Sequence, residues 1–425
     1  MFRLSEHATT LRTEILGGIT TFVAMAYIIV VNPAILAAAG IPPGAGTVAT
    51  IATAIFGTLL MGLYANRPIA VAPYMGENAF IAFGLMAFGI TWQQRLGAVF
   101  ISGAIFLVIT LLGVRTWLAQ SISPSLKQSF AAGIGLFLTF IGLHESGIVV
   151  AAKAVPVQLG DIRSAPVLLA MFGFVLIAAL MHRRVPGAIL IGIVLTAVAG
   201  SFAGLGKLPA AIVALPYDLS PIAFQLDVAS VLRLGFLPIL LTLFLMSLLD
   251  TLGTLVGLGA ATNMSDADIR KPMLVDALAC MFSGLVGTST SGAYIESSTG
   301  IREGARTGLA SVVTAALFAL SLFFIPLIEP LQSLKYAYAP ALLVVGMLMI
   351  GAIAKIEFDD FTELVPAFAT IVMMVFTFNI ANGLTAGLVL HPLMKTLAGR
   401  AREVRGGGWA LAALCAAYFV WGIPH

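Results

Sequence analysis

The sequence predicts an all-α polytopic membrane protein, on the strength of its hydropathy, the recurrence of apolar runs long enough to span a bilayer, and the placement of its charges. Of 425 residues, 60% are hydrophobic and 10% charged, with a mean hydropathy of +1.05, against about 25% charged in an average soluble domain. Such a chain must turn most of its surface toward lipid. A crossing helix needs about 20 apolar residues, and apolar runs divided by Gly, Pro and charge recur at 15–39, 45–65, 69–89, 96–114, 129–150, 165–181, 186–205, 235–261, 272–287, 288–300, 308–328, 339–354, 361–378 and 381–397. These give fourteen spans and leave no room for a large soluble domain. With the N-terminus inside, sixteen of the 22 Lys and Arg residues fall on the inner side and six outside. The positive-inside rule therefore predicts cytoplasmic termini and a multi-pass protein of the cell (inner or plasma) membrane.

The apolar run from Ile15 is too long for a signal-peptide core and lacks a clear A-x-A cleavage site, so it reads as the first span. Residues 116–128 (TWLAQSISPSLKQ) read as an amphipathic interfacial segment. The outer connection 207–234 separates a first half, 1–206, from a second, 235–400, and residues 401–425 form a cytoplasmic or interfacial tail. Within that tail 408–421 is too short to span comfortably. The fifth span of each half is an apolar helix punctuated by small residues, SFAAGIGLFLTFIGL at 129–143 and YAPALLVVGMLMIGAI at 338–353. The third is in each half acidic, Gly-bearing and poorly helical. Seven crossings per half is odd, so the second copy enters the membrane with opposite orientation, giving a 7+7 inverted repeat. A net charge of +3 suggests no nucleic-acid partner. Cys280 and Cys415 lie far apart without metal-ligand spacing, so neither a disulfide nor a metal site is expected.

Three segments carry the chemistry. In 68–84, PIAVAPYMGENAFIAFG, Pro68, Pro73 and Gly76 oppose a continuous helix, and the residues before Pro73 favour extended backbone. Helical character resumes from Gly76, which puts Glu77 and Asn78 at the junction. In 288–300, TSTSGAYIESSTG, thirteen helical residues would rise only about 20 Å of a roughly 30 Å hydrocarbon core. A short strand followed by a half-helix beginning near Tyr294–Ser297 fits better, and it gives Glu296 the place that Glu77 holds in the other half. Extended backbone at this depth must be satisfied by protein or by a water-filled site. The helix LMSLLDTLGTLVGLG at 245–259 sets Ser247, Asp250 and Thr254 on one face, while Gly253 and Gly257 admit another helix or a ligand. An aspartate at mid-helix costs roughly 2.5–3.5 kcal/mol on the insertion scale, so intramembrane acids mark function. Asp276 reads as a structural partner for Lys271 or a backbone amide. Phe22, Tyr27, Phe80 and Tyr294 are aromatic groups that pack or stack on a flat ligand, and His144–Glu145 reads as a solvated helix end.

At these residues the sequence resembles the nucleobase:cation symporter family, in particular its AzgA-like branch of purine permeases for adenine, guanine or hypoxanthine. The resemblance runs from LRTEILGGITTFVAMAYIIVVNP through ANRPIAVAPYMGENAFIAFG, LLDTLGTLVG, GTSTSGAYIESSTGIREGARTGL and DDFTELVPAFATIVMMVFTFNIANG, nearly the whole chain. It implies a core domain, 15–114 plus 235–328, and a gate domain, 129–205 plus 339–397, whose surface offers a homodimer interface. It also implies import of purine bases by proton symport through alternating access. Asp250 and Glu296 would then hydrogen-bond the ring, Asn78 would line the site and Thr254 would stand one turn below Asp250. Glu77 departs from the family pattern, which often has Leu there. Glu77, Ser297 and Phe80 complete the expected substrate-binding set, with Asp250 and Glu296 as proton-coupling candidates and the proton, not a cofactor, as coupling ion.

Carboxylates accept from purine N–H groups while half-helix amides donate to ring nitrogens or a carbonyl oxygen, so the two readings agree. The same architecture also resembles sulfate and bicarbonate transporters. An anion carrier or channel is the alternative, opposed by three acids that would repel an anion. An enzyme is not expected, since no H-E-x-x-H, Walker A or His/Cys metal spacing is present.

Overall fold

The computed structural model describes residues 2–206, 209, 211–262, 264 and 268–421. Lys207, at the start of the predicted outer connection, and the last four residues of the tail lie outside these. Among the described residues, eight helical stretches are long and apolar enough to cross a membrane, with shorter apolar helices at Ala188–Phe202, Phe361–Phe376 and Gly406–Ala417.

The first half comprises α1 (Leu11–Met25), α2 (Ile28–Ala37), α3 (Pro43–Leu63), strand β1 (Val71–Pro73) and α4 (Met75–Ala79), which runs into a π-helical turn at Phe80–Gly84. Then follow α5 (Trp92–Leu111), α6 (Val114–Ser121), α7 (Pro124–Glu145), the hairpin β2 (Val149–Ala151) and β3 (Val157–Leu159), α8 (Ala165–His182) and α9 (Ala188–Phe202). After a short α10 (Val228–Val231), the second half comprises α11 (Leu237–Thr262), α12 (Arg270–Val286), β4 (Ser291–Ala293) and α13 (Ser297–Arg302). It ends with α14 (Gly308–Ser321), α15 (Ile325–Ser333), α16 (Lys335–Ile350), α17 (Phe361–Phe376), α18 (Ile380–Leu397) and α19 (Gly406–Trp421).

The expected first span is present as one crossing stretch, Leu11–Ala37, with a turn at 26–27 between α1 and α2. Two sequence expectations are corrected here. The interfacial segment is shorter than 116–128, because Ser123 accepts the Leu126 amide at 3.2 Å and Pro124 takes the first helical position, starting α7 early. Glu145 is not simply solvated, since it pairs with Lys335 at 2.9 Å and accepts the Tyr338 hydroxyl at 3.1 Å.

The expected interruption of both third segments is present, and the two extended pieces meet. β1 and β4 pair antiparallel, with Val71 opposite Ala293, Ala72 opposite Gly292 and Pro73 opposite Ser291. The ribbon continues through Tyr74 N–H to the Thr290 carbonyl at 3.0 Å and Tyr294 N–H to the Ala70 carbonyl at 2.9 Å. A two-stranded ribbon has two open edges, and this one is buried, so side chains must supply the missing partners. Thr58 of α3 accepts from Val71 N–H at 2.9 Å and donates to its carbonyl at 3.1 Å. Ser297 Oγ accepts from Ala70 N–H at 3.0 Å, and Asp276 Oδ2 accepts from Ala293 N–H at 3.1 Å. Cys280, buried and unpaired like Cys415, donates its thiol to the Ser291 carbonyl at 2.9 Å. Of the two partners expected for Asp276, a backbone amide is the one it meets. Lys271 lies instead over the Tyr64 ring.

Around the ribbon α3 packs on α14, α12 on α5, and α1 on α13 and α14. A second group joins α7 to α16 and α17, α8 to α9 and α16, and α17 to α18. Close crossings rest on glycine. A Cβ on Gly308 would lie 2.0 Å from the Gly62 carbonyl oxygen, and one on Gly346 would lie 2.4 Å from that of Gly135. Buried Glu14 of α1 accepts from the amides of Arg306 at 2.8 Å and Thr307 at 3.2 Å, fixing the start of α14 where helix amides lack partners.

Thr58→Val keeps shape and removes both hydrogen bonds to Val71. It should cost about 1–3 kcal/mol, seen as a lower unfolding midpoint in detergent; an unchanged midpoint would show that the ribbon edge does not need Thr58.

Candidate functional site

The half-helices that leave the ribbon set the acids. α4 begins directly after β1 and carries Glu77 and Asn78, while Glu296 stands at the N-cap of α13 after β4. Asp250 and Thr254 project from mid-α11, both partly exposed. The three acids share one neighbourhood, because α11, which carries Asp250, packs on α4, which carries Glu77, and on β4 and α13, which flank Glu296. Among the described residues no salt bridge involves any of the three.

Each acid has a different environment. One oxygen of Glu296 accepts the Tyr27 hydroxyl at 2.8 Å, and the other is unclaimed among the described residues. Glu77 is fully buried, and neither of its oxygens has a hydrogen-bond donor. Asp250 is partly exposed, with the Glu77 carboxylate as its neighbour. Beside it Gly253 is open, with nothing within 4 Å of an added Cβ, and Gly257 would meet only the Ile295 side chain at 3.5 Å. The small residues of α11 therefore admit no packed helix here; they leave space beside Asp250.

The other predicted residues divide between site and scaffold. Asn78 donates to Asn32 Oδ1 at 2.9 Å, and its own carbonyl oxygen is buried without a partner. Thr254 lies one turn from Asp250. Ser297 is occupied by the Ala70 amide, and Phe80 is fully buried in the hydrophobic core. Of the remaining aromatic candidates, Phe22 packs edge-on against Phe318 at 5.1 Å, and Tyr294 stacks on Tyr74 at 6.3 Å while its hydroxyl donates to the Pro73 carbonyl.

Asn32 was not singled out from the sequence, yet it joins the polar floor of the site. Its amide donates to Thr50 at 2.8 Å and Thr288 at 2.9 Å, and its carbonyl oxygen accepts from Asn78 and, at 3.3 Å, from Ser289. The available signal was an Asn directly before Pro33 inside an apolar span. Arg95 is buried, donating to the carbonyls of Ile81 at 2.6 Å and Ala82 at 3.0 Å. It covers acceptors at the end of the half-helix, where the backbone changes to a π turn.

Residues 12–385 match the model of a permease family. The chain belongs to this permease family. It is a permease, not an enzyme. The permease is 40% identical to the adenine permease AdeQ of Escherichia coli over 95% of this chain and 92% of that protein. It is also 40% identical to the guanine/hypoxanthine permease PbuG of Bacillus subtilis over 99% of each chain. Its fold is similar to the transmembrane domain of the cyanobacterial bicarbonate transporter BicA, with a TM-score of 0.66 at 18% identity, covering 89% of this chain and 97% of that one.

Scaffold and site residues of the permease should separate in stability measurements. Ser297→Ala orphans the Ala70 amide and should lower stability by about 1–3 kcal/mol, whereas Asp250→Asn removes a partly exposed acid and should leave the detergent unfolding midpoint unchanged or raised. The reverse order would place Asp250 in the scaffold.

Proposed function

We propose that this permease is a secondary active transporter that imports purine nucleobases by proton symport through alternating access. The observation that carries the reading is three acids gathered beside a buried ribbon with, among the described residues, no cation paired to them. Such a site suits a flat neutral ring with N–H donors, because each carboxylate offers acceptors and Asn78 offers a further carbonyl oxygen. In this reading Asp250 and Glu296 accept from the purine, Asn78 lines the site and Thr254 stands below Asp250. Asp250 and Glu296, both partly exposed, are the candidates for carrying the coupled proton, and no cofactor is needed. The names of the relatives support the purine class and include both adenine and guanine/hypoxanthine.

We infer a fourteen-span 7+7 inverted repeat, with the short segments at β1–α4 and β4–α13 counted as spans. Mirrored packing supports it: α3 on α14 corresponds to α12 on α5, α7 on α17 to α16 on α8, and α8 on α9 to α17 on α18. The first group of helices would be the core domain and the second the gate domain, which also offers a homodimer surface. Charge placement supports an inner-membrane protein with both termini cytoplasmic. On the outer side Phe378 packs between Phe83 and Phe137, and Asn379 donates to the Gly84 carbonyl at 3.3 Å, joining gate to core. On the inner side Gly253 is open and Ile295 is 51% exposed. That asymmetry fits one inward-open state of an alternating cycle.

Likeness of fold to a bicarbonate transporter favours an anion carrier as the second reading. Anions would meet Glu77, Asp250 and Glu296 at close range with no neutralising cation among the described residues, which opposes it. Reconstituted protein should accumulate labelled adenine, guanine or hypoxanthine under an inward proton gradient, with competition among them giving the preference. Uptake of bicarbonate or sulfate unaffected by purines would replace this reading with the anion carrier. Asp250→Asn should abolish gradient-driven accumulation while the protein still inserts. Glu296→Gln should weaken purine binding at least tenfold, the loss of about 1.4 kcal/mol, in calorimetry on detergent-purified protein; wild-type affinity would remove Glu296 from the ligand set.

A further inference from the structure

Glu77 has no role in the contacts that build the ribbon. It is fully buried, and both carboxylate oxygens lack a donor. The elements packed against α4 are α2, α7, α11 and the π turn that continues it. From α2 comes Asn32, whose amide is spent on Thr50 and Thr288, and α7 presents Ile134 beside Gly76. The titratable groups that sense Glu77 are Asp250 on α11, Tyr74 and Tyr294 at the ends of the ribbon, and Cys280 on α12. None of these is a cation. Tyr74 is engaged with Thr251 at 3.0 Å, Tyr294 with the Pro73 carbonyl and Cys280 with the Ser291 carbonyl.

Asp250 is left as the group facing the Glu77 carboxylate. Ionised carboxylates are acceptors only, so two of them at hydrogen-bonding range bond only through a proton. If both were ionised, two like charges would meet in a site where no cation among the described residues offsets them. We propose that Glu77 and Asp250 hold one proton between them, and that this pair is where proton movement is coupled to the substrate. The proposal rests on the proton-symport reading and adds to it a resident for the proton, Glu77, and an exchange route, Asp250. Asp250 is the partly exposed member, so the proton enters and leaves through it. When a substrate N–H donates to Asp250, the proton stays on Glu77 as an O–H and no covalent bond to carbon is made or broken. When the substrate departs inward, the proton returns to Asp250 and passes to water.

Infrared difference spectroscopy and transport test this on the full chain. Wild-type protein in lipid at neutral pH should show a carboxylic-acid carbonyl band that shifts when adenine or hypoxanthine is added and is missing from Glu77→Gln. In proteoliposomes, Glu77→Gln should bring the ratio of uptake with an inward proton gradient to uptake without it down to one, with loss of the accompanying proton influx. A wild-type spectrum without that band, or a Glu77→Gln protein whose uptake ratio and proton influx match wild type, would overturn the proposal. If the variant does not fold, the band in the wild-type protein and its shift on Asp250→Asn decide the matter. Failure of the transport reading is distinct, because wild-type vesicles would then take up no purine although the band is read without substrate.

Discussion

A buried two-stranded ribbon is the constraint on which the rest of this structure depends. Peptide groups at membrane depth cannot turn to water, and two strands alone leave half of their hydrogen-bonding groups open. Thr58, Ser297, Asp276 and Cys280 close those edges from α3, α13 and α12. The helices are therefore anchored to the ribbon, and the ribbon joins one half of the chain to the other through pairing of residues 71–73 with 291–293. Separating the halves would expose backbone as well as apolar surface.

What the ribbon makes possible is a place for acids. A continuous helix would satisfy its own amides and carbonyls, whereas an interrupted one turns the start of a half-helix toward the centre of the protein. Glu77 and Glu296 stand at two such starts, and the uninterrupted α11 brings Asp250 between them. Among the described residues the acids have no basic partners: Arg95 covers carbonyls, and Lys395 is held among Asp360, Glu363 and Glu403 elsewhere. A structural role alone would favour pairing, because an uncompensated buried charge is costly. The arrangement is better suited to receiving donors from a ligand or protons from water.

Much of this was readable in the sequence, because proline, glycine and charge act locally. Pro68, Pro73 and Gly76 forecast the first interruption, and the run of Ser, Thr and Gly at 288–292 forecast the second. Asp250 and Glu296 were conspicuous because acids in apolar runs are expensive. Ser297 and Phe80 show the limit: their types suited a binding site, but one caps a strand amide and the other fills the core. Neither use has a local signature, since the partner of Ser297 lies 227 residues away. Asn32 escaped notice for the same reason, as its partners Thr288 and Asn78 come from other segments.

The sequence by itself determined that this chain lives in a membrane, where its helices break and which acids carry the cost of burial, since each follows from composition and short-range backbone chemistry. Only the tertiary structure decided that the two breaks pair with each other, that Tyr27 supports Glu296, and that Glu77 is buried with neither carboxylate oxygen meeting a donor among the described residues. Those depend on which distant segments come into contact. Packing of the helices around the ribbon, and not any local preference, selects them.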